Sequence, residues 1–164
     1  MIIIGIDPGT AITGYGIIEK DKKYLKCLEY GCIRTEPTLP QGERLKKINS
    51  ELNKLIRKHR PEVMAVENIY FFKNLKTAMP VSQSKGIILF TAAKKKIPVY
   101  EFTPLQVKMT VTGFGRASKK QVQEMIKVIF KLEKIPKPDD AADALGIAIC
   151  CANALNYKES IRRG

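Results

Sequence analysis

Apolar residues fall along this chain in two rhythms. Residues 2–7 read IIIGID, an isoleucine-rich run closed by an acid. A run this short and this apolar predicts a strand buried on both faces. Residues 13–20 follow as a glycine-spaced, β-rich segment. A polar turn, KDKK, then leads to a third strand over 24–35. Strands so closely spaced predict an antiparallel meander. Pro37 and Pro40 break the pattern, and the period changes. Leu45, Ile48, Leu52, Leu55 and Ile56 recur at helical spacing over 41–59, with Lys and Arg on the other side, and Pro61 ends that helix. Residues 63–67, VMAVE, predict a fourth strand. Residues 68–76 predict a loop with three successive aromatics. A helix over 77–96 carries Pro80 in its first turns, where proline is best tolerated. A fifth strand at 98–102 and a short helix at 105–111 follow. TGFGRASKKQ reads as a glycine-rich basic loop entering a helix that ends near residue 132. A proline-stopped linker leads into a last, very apolar helix.

Strands 1, 4 and 5 are separated by helices and should lie parallel, while strands 2 and 3 add an antiparallel flap on one edge. The expected fold class is α/β, a mixed five-stranded sheet with helices on both faces. The chain has 164 residues, which suits one domain over 1–157 and a basic C-terminal tail over 158–164.

Three acidic stretches change this picture. Asp7 ends the first strand and Glu67 ends the fourth in the same manner. An ionised carboxylate beside a buried strand is costly unless it is paired or bound to a metal. Asp7 also starts the turn Asp7-Pro8-Gly9-Thr10, whose residue types are ordinary for a turn. In open α/β sheets, however, ligand sites form beyond the carboxyl ends of parallel strands. Two acids ending two such strands exceed what turn chemistry explains. The third stretch is DDAAD, residues 139–143. Asp140 and Asp143 are three apart and share a helix face. Asp139 is a natural N-cap after Pro138, and acids in a first turn favour the helix dipole. Asp143 leads straight into an apolar run, where capping alone does not place it. Carboxylates gathered at one point repel unless cations neutralise them, and magnesium or manganese does so with oxygen ligands.

Charge narrows the substrate. Lys and Arg number 29 against 16 acids, for a net charge of +13 and a pI near 9.7. Such an excess points to a polyanionic partner, nucleic acid above all. A heat-adapted surface would carry matching Glu, and the acids here are outnumbered nearly two to one. Cys27, Cys32, Cys150 and Cys151 form no C-x-x-C pair, and His59 is the only histidine, which argues against zinc. No signal stretch or membrane-length apolar run is visible, so a cytoplasmic protein with reduced thiols is expected. Acids and basic surface together read as a metal-dependent nuclease.

The stretches GIDPGTAITGYGII, AVENIYFFKN and DDAADALGIAI resemble, in order, the three acidic motifs of the RuvC-type Holliday junction resolvases of the RNase H-like superfamily. GCIRT and RASKKQVQ match as well, and the resemblance covers essentially the whole chain. It implies metal-binding catalytic acids Asp7, Glu67, Asp140 and Asp143, with two Mg2+ per site and Mn2+ as a substitute. It implies a homodimer cutting two opposed strands of a four-way DNA junction, in partnership with a junction-migrating helicase complex of the RuvA and RuvB type. Tyr70 stands at the family's DNA-stacking aromatic. Lys108 and Lys119 match basic positions near its active site, and Lys119 is taken with the catalytic group. Lys73, Lys85, Arg116 and Lys120 join them as DNA contacts. Asp139 is left between competing for the metal and capping the helix. Other readings are an RNase H-like nuclease acting on RNA or other branched nucleic acid, and a non-catalytic DNA-binding module of the same fold. An actin-like ATPase shares the GIDPGT turn but needs a chain about twice as long.

Overall fold

A computed structural model of the chain describes residues 1–22, 24–68 and 75–161. Its elements are β1 (Ile2–Asp7), β2 (Ile12–Lys20), β3 (Leu25–Arg34), α1 (Gln41–His59), β4 (Val63–Glu67), α2 (Leu75–Lys94), β5 (Val99–Phe102), α3 (Pro104–Thr112), α4 (Lys119–Ile129) and α5 (Asp139–Ile161). The sheet runs β3-β2-β1-β4-β5. β1 is antiparallel to β2 and β2 to β3, while β4 is parallel to both β1 and β5. The expected mixed five-stranded sheet is therefore present.

The isoleucine run of β1 serves two cores. Ile3 faces Leu145, Ala148 and the other apolar residues of α5, together with Val107 of α3 and Ile126 of α4. Ile4 and Ile6 face the opposite layer, with Ile48, Leu52 and Ile56 of α1 and Ile88 and Ala92 of α2. All three isoleucines are fully buried. Burial contributes roughly 2 kcal/mol for each such side chain, so this strand anchors both layers.

Helix ends depart slightly from the sequence reading. α4 stops at Ile129 rather than near residue 132, because Phe130 caps it and Lys131 turns to φ 52°. α2 stops at Lys94, and Lys96 at φ 56° turns the chain toward β5. Capping boxes start α3 (Thr103 with Gln106) and α4 (Ser118 with Gln121), each satisfying two free backbone donors. Asp139 is the first residue of α5 rather than the cap before it. Its carboxylate turns to Lys119, 3.5 Å away, so an ion pair takes the place of the expected cap.

Candidate active site

β1 and β4 pair in register, Ile6 opposite Val66, so the next residues, Asp7 and Glu67, end the two strands at one level. α5 then has to approach the sheet closely enough to bring its acids to the same place. Glycines permit this. A Cβ on Gly5 would overlap the carbonyl of Ala144, and one on Gly14 would overlap the carbonyl of Asp140. The helix therefore lies directly on the backbones of β1 and β2, which carries Asp140 and Asp143 over the end of β1.

The turn after Asp7 is fixed by residues of β2, of the end of β3 and of α1 and α2. Thr13 Oγ1 donates to the Gly9 carbonyl at 2.6 Å, and Ser84 Oγ of α2 donates to the same oxygen at 3.1 Å. Thr10 Oγ1 donates to the Pro80 carbonyl at 2.6 Å. Thr35 Oγ1 donates to the Thr10 carbonyl at 2.6 Å, and Arg44 Nε donates to Thr35 Oγ1 at 2.8 Å. Thr10 and Ser84 are buried. The turn bearing Asp7 is thus bolted to α2, and the bolts are short polar side chains whose partners sequence alone does not reveal.

The charges at this point are concentrated. Burial first, then Glu67, Asp143 and Asp140, push the Asp7 carboxyl up to about 8. Burial also raises Glu67, reinforced by Asp143, while its hydrogen bond with Asp7 works the other way. Asp143 is raised by burial against the pull of Lys119. Lys119 Nζ lies 3.0 Å from Asp143. Burial works to lower the Lys119 pKa, but the bonds to Asp143 and Asp139 outweigh it and leave the ammonium held above its usual range. A cleft of about 260 Å³ opens here, walled by Glu67, Asp143, Lys108 and Lys119 over Val107, Val122 and Ile147. A larger cavity of about 660 Å³, beneath the β2–β3 turn, is lined by Tyr24, Lys26 and Lys131 and has none of these acids. Convergent charge, not volume, marks the site.

The structure brings together Asp7, Glu67, Asp140, Asp143 and Lys119, with Lys108 on the cleft wall. Arg116 and Lys120 are exposed on the loop and first turn leading into α4. Lys85 is mostly covered, ion-paired to Glu101 and 3.3 Å from Asn68 Oδ1. Tyr70 and Lys73 lie outside the described residues.

The donor set fits a hard divalent cation: every candidate ligand is a carboxylate oxygen, and the raised acids show negative charge that Lys119 only partly offsets. Among the described residues no three Asp, Glu, His or Cys side chains already converge as ligands. Asp7 is hydrogen-bonded with Glu67 instead, and Asp143 is ion-paired with Lys119.

Comparison with known proteins agrees with this geometry. The family model described as crossover junction endodeoxyribonuclease RuvC matches residues 3–151. The chain is 51% identical over 162 residues to the crossover junction endodeoxyribonuclease RuvC of Pelotomaculum thermopropionicum, covering 99% of each chain. It is 54% identical over 152 residues to that of Desulforamulus reducens, covering 93% of each. The solved structure of T. thermophilus RuvC in complex with Holliday junction substrate superposes with a TM-score of 0.91 at 33% identity, covering 96% of each chain.

Proposed function

Because the chain belongs to the RuvC family of crossover junction endodeoxyribonucleases, we propose that it resolves four-way DNA junctions at the acid cluster of Asp7, Glu67, Asp140 and Asp143. It is a Holliday junction resolvase of the divalent-metal-dependent kind. The observation that carries the assignment of the site is the level ending of β1 and β4, with α5 laid over them. Two Mg2+ ions, or Mn2+ in their place, would there activate water and stabilise the leaving oxygen of the phosphodiester.

The chain's own residues do the rest. Asp7 and Glu67 from the sheet, with Asp140 and Asp143 from α5, supply the ligand oxygens. Lys119, already against Asp143, supplies a fixed positive charge beside the scissile phosphate, and Lys108 supplies another from the cleft wall. Arg116 and Lys120 hold the DNA backbone, with Lys73 and Lys85 as further contacts and Tyr70 as a stacking aromatic.

A junction has two-fold symmetry and needs two cuts, so a homodimer matches it. α2 supports this reading. Met79 and Phe90 are 71% and 57% exposed, and with Gln83 and Gly86 they share one stripe of the helix. Nothing lies within 4 Å of a Cβ built on Gly86, so a second helix can approach there. Among the described residues no helix is long and apolar enough to cross a membrane. The proposed setting is the cytoplasm, beside a junction-migrating helicase complex of the RuvA and RuvB type.

The test is cleavage of a synthetic four-way junction beside linear duplex, with and without magnesium. Asp7→Asn, Glu67→Gln, Asp140→Asn and Asp143→Asn should each abolish cleavage and spare junction binding. Asp139→Asn, whose carboxylate is exposed and engaged with Lys119, should be much milder. An active Asp140→Asn with an inactive Asp139→Asn would shift the ligand by one residue.

A further inference from the structure

The loop between α3 and α4 displays an aromatic ring that the chemistry above does not use. Phe114 stands between Gly113, at φ 73°, and Gly115, and is 55% exposed. Its backbone is fixed. Its N–H donates to Thr112 Oγ1 at 3.1 Å, and its carbonyl accepts from the Ala117 N–H at 3.0 Å. Thr112 Oγ1 in turn donates to the Lys108 carbonyl at 2.8 Å, tying the loop to a residue of the cleft wall. A Cβ at position 115 would press on Leu105 Cδ1 at 2.7 Å, so Gly115 lets the loop lie down on α3. A ring more than half exposed on a hydrogen-bonded backbone gains little for the fold, but it loses little freedom when a ligand covers it.

Beside the ring runs a trough of about 440 Å³ lined by Ala117, Lys120, Glu124 and Met125, with Met125 38% exposed. Thr112, which also lines the trough, donates to the carbonyl of Lys108 on the cleft wall, and Lys120 is the residue after Lys119, which touches Asp143. Arg116 is exposed on the same loop. Lys120 in the trough and Arg116 on the same loop outnumber its one acid, Glu124, on a chain of net charge +13, and this balance selects DNA as the occupant over an apolar protein segment.

We propose that Phe114 is a stacking platform for the junction strand. A base or deoxyribose face lies on the Phe114 ring and Met125, while Lys120 and Arg116 hold the flanking phosphates. This rests on the junction-cleaving reading and adds a second stacking position to it, on the loop between α3 and α4. The ring is too exposed to support the core, so Phe114→Ala should melt with the parent protein.

The experiment walks 2-aminopurine through the junction strands on both sides of the cut and records its quenching by wild-type protein, Phe114→Tyr and Phe114→Ala. Wild type and Phe114→Tyr should alter the stacking signal at one or two positions where Phe114→Ala does not, and Phe114→Ala should lose roughly tenfold in junction affinity. Identical profiles for all three proteins, or unchanged affinity and cleavage by Phe114→Ala, would overturn the proposal and leave the patch to a protein partner. Cleavage by wild type is scored in the same samples. A ring-dependent signal without cleavage would keep the platform and reject the nuclease reading instead.

Discussion

Removing the Asp7 carboxylate should stabilise the metal-free protein even as it destroys the enzyme. Asp7 is held at about 8, against 3.8 for a free aspartate, by burial and by three neighbouring acids. An acid whose folded pKa exceeds its unfolded one binds its proton more tightly in the fold. Its contribution favours folding below about pH 4 and is lost as pH rises through about 8. Each pH unit in that window costs about 1.4 kcal/mol, which bounds the penalty at pH 7 at roughly 4 kcal/mol. Glu67 shares in the titration and Lys119 offsets part of the charge, so Asp7→Asn should gain about 2 kcal/mol. For a chain of this length that is roughly 4–8 °C in Tm.

The assay is thermal unfolding of both proteins in a chelating buffer across this pH range. The advantage of Asp7→Asn should be near zero at about pH 4 and should grow toward about pH 8. Adding magnesium should erase it, because only the parent carboxylate gains a cation that stabilises the folded form. A lower Tm for Asp7→Asn at neutral pH, or a gain that ignores pH, would mean that the acids are not confined against one another as the structure has them.

Three further outcomes follow from particular contacts. Gly14→Ala would place a methyl into the Asp140 carbonyl, so α5 must lift; cleavage should fall at least tenfold with a loss of roughly 1–3 kcal/mol in stability, read by junction nicking and thermal melts. Junction affinity should fall steeply with salt, log K against log[salt] having a slope of several units, and a flat response in a salt titration would remove the phosphate-contact argument. Phe90→Glu on the exposed stripe of α2 should give a monomer by analytical ultracentrifugation that leaves junctions unresolved, whereas a wild-type monomer making paired symmetric nicks would refute the dimer.

What the sequence displayed and what it concealed divide along one physical line. Alternation and helical period are local, so β1, α1 and β4 could be read with their observed boundaries, and the acids at the ends of β1 and β4 came with them. The parallel pairing that makes Asp7 and Glu67 neighbours was also accessible, because helices separate those strands. Contacts between layers were not. Gly14 and Gly16 read only as glycine spacing in a strand and Gly5 as part of an apolar run, and only the position of α5 reveals that side chains there would collide with Asp140, Leu145 and Ala144. Ser84 has no sequence mark of its role: it is a buried bolt on the Asp7 turn, 75 residues from its acceptor. Lys85, proposed as a DNA contact, is also positioned by Glu101 and Asn68, pairings 16 and 17 residues away that the sequence does not display. Phe114 carries its signal in the sequence itself: an aromatic flanked by two glycines in a basic loop has no helix or strand to bury it. Such a ring must either fold back onto a neighbouring surface or be held out to meet a ligand, and Thr112 and Ala117 hold it out.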